Sequence, residues 1–214
     1  MMSAAEQEYL LAGLIRFRRM PATAADIIGS YAGVRPLYDD GSRAQAQQVS
    51  RDYHLEWQKA GGAPVLSVYG GKITTYRRLA EAAMERLIDE QQVPPSTPWT
   101  GDEPLPGGDF PDADLQRFTA NALARWSRLP PVLVERLARL YGTRMAHILG
   151  NAGDQADLGQ DFGATLTLAE VRYLVQHEWA RSAEDILWRR TRLGLEVPGS
   201  AVNDLQDAVT QLLR

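Results

Sequence analysis

The chain has 214 residues, a net charge of −4 and no cysteine. That length serves one large domain or two small ones, and the acidic balance argues against a general nucleic-acid binder, which needs a basic face. Disulfides and thiolate metal sites are excluded, a reducing cytosolic compartment fits, and neither a run of about 18 apolar residues nor a signal-peptide pattern is present.

The first element is a helix. Ser3 and Glu6 have capping-box spacing, Tyr9, Leu10, Leu14 and Phe17 recur at helical intervals, and Pro21 ends it. Thr23 and Asp26 cap one further turn. Ile27 to Leu37 is apolar, small and aromatic, with Gly29, Gly33 and Pro36 as breaks, and reads as strand-like around Tyr31. Asp39 to Ser42 is a turn that runs into an exposed Gln-rich loop. Tyr53, Leu55 and Trp57 alternate with polar neighbours, the pattern of a half-buried strand. The glycine-bearing stretch Lys59 to Ala63 then predicts a hairpin. Pro64 to Tyr69 reads as a short buried strand. After Gly70-Gly71, residues 74–91 read as a long helix with Leu79, Ala83, Leu87 and Ile88 inward.

Val93 to Pro111 holds six prolines and three glycines, a linker or extended crossing segment. No clear strand follows it. Leu115, Phe118, Ala122 and Trp126 mark one helix. Pro130-Pro131 opens another that runs to Tyr141, with Leu133, Leu137 and Leu140 on one side. Thr143 to Leu149 forms a short third. Asn151 to Thr165 is a loop, and Thr167 with Glu170 forms a capping box for a helix carrying Val171, Leu174, Val175 and Trp179. Ser182 and Asp185 cap the next, Gly194 stops it, and Val202 to Leu213 closes the chain. The expected fold class is α+β, mostly α, with five or six helices in the second half.

Two motifs could carry chemistry. In Ser67 to Tyr76, a strand runs into Gly70-Gly71 and then into a helix. Glycines let the backbone approach a ligand, and a helix start offers free N–H groups and a positive dipole end. With the Lys72 charge and the Thr74 hydroxyl, this turn suits a phosphate or the electron-rich edge of a flavin. It suits equally a plain strand–helix turn with a solvent lysine. It is not a P-loop, because Leu66 stands where that motif needs glycine. The second motif is Tyr31 to Leu37. Arg35 lies between Val34 and Pro36 in an apolar stretch, and a guanidinium there calls for an anion. A carboxylate of the protein and a phosphate of a ligand both satisfy it.

These pieces together resemble the family of aerobic, FAD-dependent glycerol-3-phosphate dehydrogenases. The residues are Ser30-Tyr-Ala-Gly-Val-Arg35-Pro-Leu, Arg51-Asp-Tyr, and Leu66-Ser-Val-Tyr-Gly-Gly-Lys72-Ile-Thr-Thr-Tyr-Arg77. They continue at Trp99-Thr, Leu105-Pro-Gly-Gly-Asp109, Leu140-Tyr-Gly-Thr143, Glu178-Trp-Ala180, Ala183-Glu-Asp185 and Leu187 to Gly194. The resemblance covers nearly the whole chain in the right order. It implies that Arg35 binds the substrate phosphate and that Lys72 lies beside flavin and substrate, as both a catalytic and a substrate-binding residue. Gly70, Gly71, Lys72, Ile73 and Thr74 would line the FAD. A lysine at the flavin N1–C2=O edge meets the negative charge that grows there as hydride arrives.

The family's dinucleotide motif G-x-G-x-x-G is missing from this chain. The resemblance therefore implies a C-terminal portion of such an enzyme. Residues 1–92 would be the remnant of the FAD/substrate domain, 93–109 a Pro/Gly-rich linker and 110–214 a C-terminal helical domain. The implied partners are glycerol 3-phosphate and quinone, with peripheral contact to the cytoplasmic face of the inner membrane, a homo-oligomer, and no nucleic acid. The isolated chain is expected neither to hold FAD tightly nor to turn over. An oxidase using oxygen, and a non-catalytic helical interaction domain, are the competing readings. Self-association or local disorder is expected before residue 70, because apolar strand faces there need cover.

The remaining candidates read as structural. His54, His147 and His177 lack ligand spacing, so no metal is expected. Trp188 to Arg192 suggests phosphate or anionic lipid, but a helical Asp185–Arg189 pair and helix cross-linking explain it better. Trp126, Trp179 and Trp188 are expected in the core.

Overall fold

A computed structural model of the protein describes residues 2–15, 22–34 and 52–214. The Arg35, Pro21 and 39–50 expectations fall outside these residues. The chain divides into two compact units, Met1–Glu103 and Pro104–Arg214. The class is α+β, mostly α, with one two-stranded sheet and a C-terminal helical unit.

In the first unit, helix α1 (Ala4–Ile15) starts on the expected box. The Ser3 N–H donates to Glu6 Oε2 at 2.7 Å, and the Glu6 N–H donates to Ser3 Oγ at 3.3 Å. A 3-10 turn, Ala24–Asp26, follows Thr23, whose N–H donates to Asp26 Oδ2 at 2.7 Å. Residues 27–34 form no strand, contrary to expectation. Ile28, Tyr31 and Val34 are exposed there, because no neighbouring strand among the described residues takes their backbone hydrogen bonds. Strands β1 (Tyr53–Ala60) and β2 (Ala63–Gly70) make the predicted antiparallel hairpin. Gly61 and Gly62 form its two-residue turn at φ +65° and +100°, the left-handed values such a turn demands. The hairpin is less covered than its sequence suggests: Val65, Val68 and Tyr69 are exposed. A two-stranded ribbon has no second layer of its own to bury them. Helix α2 (Tyr76–Asp89) completes the unit, its Leu79, Ala83, Leu87 and Ile88 half-buried as expected. The Thr100 hydroxyl and Arg77 both reach Glu81, which ties residues 99–100 to α2.

The second unit packs α3 (Leu115–Arg125), α4 (Pro131–Tyr141), α5 (Met145–Leu149), α6 (Leu168–His177), a π-helical segment Asp185–Arg190 and α7 (Val202–Leu212) around one core. Leu133, Val134, Leu137, Met145, Leu166, Val171, Ile186, Leu205 and Val209 are almost wholly buried. Each such side chain contributes roughly 1.5–3 kcal/mol. The face of α4 is rotated from the expected one: Val134, Ala138 and Tyr141 are buried, whereas Leu140 is 42% exposed.

Glu170 also departs from expectation. It forms no capping box with Thr167, whose hydroxyl is buried without a partner among the described residues. The Glu170 carboxylate is wholly buried and instead receives Arg136 twice, at 2.9 and 2.6 Å, and the Tyr141 hydroxyl at 2.7 Å. Arg136 donates further to the side chain and carbonyl of Thr165, at 2.7 and 2.9 Å. A full positive charge outbids a backbone N–H for a buried carboxylate. Trp126 is buried as expected, but Trp179 is 80% and Trp188 51% exposed. Helix α6 ends at His177, so the periodicity that placed Trp179 with Val171 and Val175 stops before reaching it.

Candidate functional site

The corner between β2 and α2 is the candidate site. Tyr53 pairs with Gly70 at the open end of the hairpin. Gly70 and Gly71 then turn the chain at φ +71° and +94°, a conformation in which a side chain is strained. A Cβ on Gly71 would also touch Tyr53 and Leu79, at 3.5 and 3.6 Å. Lys72 is extended and caps a 3-10 turn, Ile73–Thr75, that feeds α2. The Lys72 carbonyl accepts both the N–H and the hydroxyl of Thr75, each at 3.0 Å. This fixes the backbone at the corner and leaves the Lys72 side chain exposed, with no ion pair among the described residues. Ile73 is 87% exposed and Thr74 is exposed. Their N–H groups open the turn and donate to nothing among the described residues. The corner thus gathers a free ammonium, two free N–H groups and two glycines without side chains, which suits an electron-rich edge.

Lys72, Gly70, Gly71, Ile73 and Thr74 are therefore contiguous in space as in sequence. Arg35 lies outside the described residues, so its distance from them is not part of the geometry.

In the helical unit, two of the motifs quoted above meet each other. The Gly107 carbonyl accepts the Thr143 N–H at 3.0 Å, and the Thr143 hydroxyl donates to the Asp109 carboxylate. Gly107 and Gly142 face each other so closely that neither has room for a Cβ. One on Gly142 would lie 1.8 Å from the Gly107 oxygen, and one on Gly107 would lie 2.4 Å from the Tyr141 oxygen. The hydroxyl of Thr143 holds the Asp109 carboxyl below the usual range. Spacing alone could not have paired Leu105–Asp109 with Leu140–Thr143, since the contact joins residues 34 apart.

Residues 98–214 match the C-terminal domain of alpha-glycerophosphate oxidase. The chain belongs to that family. It is 45% identical over 190 residues to the aerobic glycerol-3-phosphate dehydrogenase of Escherichia coli, covering 88% of this chain and 36% of that protein. Against the glycerol-3-phosphate dehydrogenase of Pseudomonas aeruginosa, identity is 44% over 195 residues, 90% of this chain and 37% of the relative. The D-erythritol 1-phosphate dehydrogenase of Brucella abortus is 42% identical over 189 residues, 87% of this chain and 37% of the relative. The chain thus spans little more than a third of the length of these relatives.

Proposed function

We propose that the chain works as part of a flavin-dependent dehydrogenase that oxidises sn-glycerol 3-phosphate to dihydroxyacetone phosphate. The observation that carries this reading is the Gly70-Gly71-Lys72 corner, in a chain 44–45% identical to two glycerol-3-phosphate dehydrogenases. The corner fits one edge of a flavin: the two left-handed glycines allow close approach, and the N–H groups of Ile73 and Thr74 point positive ends outward from the helix start. FAD, when bound, would take the hydride and hand the electrons on to a quinone. Lys72 supplies a positive charge where negative charge develops, and in the same reading it contacts the substrate. Gly70, Gly71, Ile73 and Thr74 supply backbone and hydroxyl contacts, and Arg35 clamps the substrate phosphate. The chain by itself neither retains FAD nor turns over. Its parent sits as a homo-oligomer against the cytoplasmic face of the inner membrane, and the helical unit serves assembly rather than chemistry.

A second reading replaces quinone by oxygen and rests on the match of residues 98–214 to the C-terminal domain of alpha-glycerophosphate oxidase. Reactivity of a polypeptide of the relatives' full length toward oxygen and toward a quinone separates the two. The test of the main reading is Lys72→Gln in that polypeptide. The expected result is retained flavin absorbance with kcat/KM for glycerol 3-phosphate lowered about 10²–10³-fold, the worth of one aligned electrostatic donor. Unchanged kcat/KM would remove Lys72 from the mechanism. A stoichiometric flavin spectrum in the purified 214-residue chain would overturn the claim that it cannot hold FAD alone.

A further inference from the structure

The helical unit contains a cavity of about 660 Å³ at the ends of α4 and α6. Its wall includes the Gly107 strap, Tyr173, Arg139, Arg144, His177 and Glu178. The flavin reading uses none of these residues.

Three observations point to a ligand. Arg139 and Arg144 line the same cavity and form no ion pair among the described residues. Tyr173 is only 5% exposed, lines the cavity, and its hydroxyl has no hydrogen-bond partner among the described residues. The wall is also rigidly built. Gly107 and Gly142 meet without room for a Cβ, Thr143 bonds Asp109, and Tyr141 is anchored on Glu170. A tyrosine hydroxyl with no partner among the described residues and two guanidiniums without an ion pair, on a fixed wall, are what a bound oxyanion would complete.

A plainer account covers only part of this. Cations in the last turn of a helix answer its dipole without any ligand, which explains Arg139 on α4. It does not explain Arg144, which lies past the end of α4 and directly before α5, where the dipole rewards an anion; its charge helps hold the nearby Asp109 carboxyl low. Nor does it explain the open Tyr173 hydroxyl. Glu178 puts a carboxylate in the same wall, half-buried. It opposes a bare phosphate and accepts a hydrogen bond from a hydroxyl. Burial and Glu178 both raise the Tyr173 phenol, and Arg144 opposes them, so all three groups share one electrostatic neighbourhood.

We propose that this cavity binds a small phosphate monoester that also carries a free hydroxyl. Arg139, Arg144 and the Tyr173 hydroxyl would take the phosphate, and Glu178 the ligand hydroxyl. The assignment is independent of the flavin reading and involves no residue of the β2–α2 corner.

The test uses the purified 214-residue chain with two probes, glycerol 2-phosphate and inorganic phosphate, titrated by calorimetry and by the NMR shifts of the His177 ring. Thermal midpoints of every variant are recorded alongside. Glycerol 2-phosphate should bind saturably and more tightly than inorganic phosphate. Arg144→Gln and Arg139→Gln should each weaken it at least about tenfold, the value of a lost charge-assisted contact, at unchanged midpoint. Tyr173→Phe should weaken it several-fold. Glu178→Gln should tighten inorganic phosphate and shrink the preference for glycerol 2-phosphate. Lys72→Gln should leave all of this unchanged, which separates the cavity from the proposed flavin corner. No saturable binding, or binding that survives both arginine variants, would overturn the proposal. Equal loss in Lys72→Gln would do so too.

Discussion

Replacing Glu170 by glutamine should strongly destabilise the helical unit. The substitution keeps the shape and leaves a carbonyl oxygen to accept from Tyr141. It removes the charge that holds Arg136, whose side chain is 19% exposed, and turns an NH₂ donor toward its guanidinium. Burial alone would lower the Arg136 pKa. The hydrogen bonds and charge of Glu170 more than reverse this, so the guanidinium stays ionised and is left stranded once its partner is neutral. Breaking one side of a buried pair costs about 3–5 kcal/mol. For a unit of this size that is roughly 12–25 °C in midpoint. Thermal and urea melts of the full chain, followed by near-UV circular dichroism, give the measurement. A control makes the reasoning sharper: Arg136→Met combined with Glu170→Leu removes both charges and should cost less than Glu170→Gln alone. A loss below about 1 kcal/mol for Glu170→Gln, the scale of an exposed pair, would refute the account of this network as a buried lock.

The same network should make stability fall in alkali. Burial first, then the Glu170 charge and hydrogen bond, raise the Tyr141 phenol far above its ordinary value. The folded state therefore keeps a proton that the unfolded state releases near pH 10. The contribution is complete below that pH and is lost as pH rises, at up to about 1.4 kcal/mol per pH unit. Tyr141→Phe should flatten that limb of the urea-stability profile above pH 10, and an unchanged slope would exclude Tyr141 as its source. Trp179→Gly should stabilise the protein. Trp179 is 80% exposed and sits at φ +54°, while the Ala180 N–H reaches back to the Leu174 carbonyl. Relief of left-handed strain is worth about 1–2 kcal/mol, and the glycine entropy cost takes back about 0.5–1. A net gain of roughly 0.5–1 kcal/mol in urea melts is expected, and a loss would show that the indole makes contacts beyond its exposed face.

Local signals in the sequence read well and distant partners did not. The Ser3–Glu6, Thr23–Asp26 and Ser182–Asp185 spacings all became caps, because both partners lie within one turn. Thr167 and Glu170 have the same spacing and did not, since Arg136 arrives from a helix 34 residues upstream and claims the carboxylate. The Gly61–Gly62 hairpin and the Gly70–Gly71 corner were legible because glycine pairs after a strand signal left-handed backbone. The strand expected near Tyr31 failed for the opposite reason: apolar content does not make a strand when no partner among the described residues supplies the hydrogen bonds. Burial of Trp179 was misjudged because periodicity carries no information about where a helix stops.

The motifs that carried the resemblance divide in two by what the structure asks of them. Leu105–Asp109 and Leu140–Thr143 are architectural: each supplies a glycine where backbone meets backbone, and one threonine ties both by N–H and hydroxyl. Any side chain at Gly142 would have to displace the Gly107 carbonyl, so the two segments constrain each other whatever the enzyme's chemistry. The Gly70–Thr74 corner is different. Gly71 has ordinary room for a Cβ, at 3.5 and 3.6 Å from its neighbours, so only its left-handed φ calls for glycine. Its Lys72 reaches solvent with no ion pair among the described residues. Packing thus explains the glycines of the helical unit and leaves the Lys72 side chain unexplained. An exposed lysine is ordinary in itself, so a role for Lys72 stands or falls with the kcat/KM of Lys72→Gln and not with the packing of the corner.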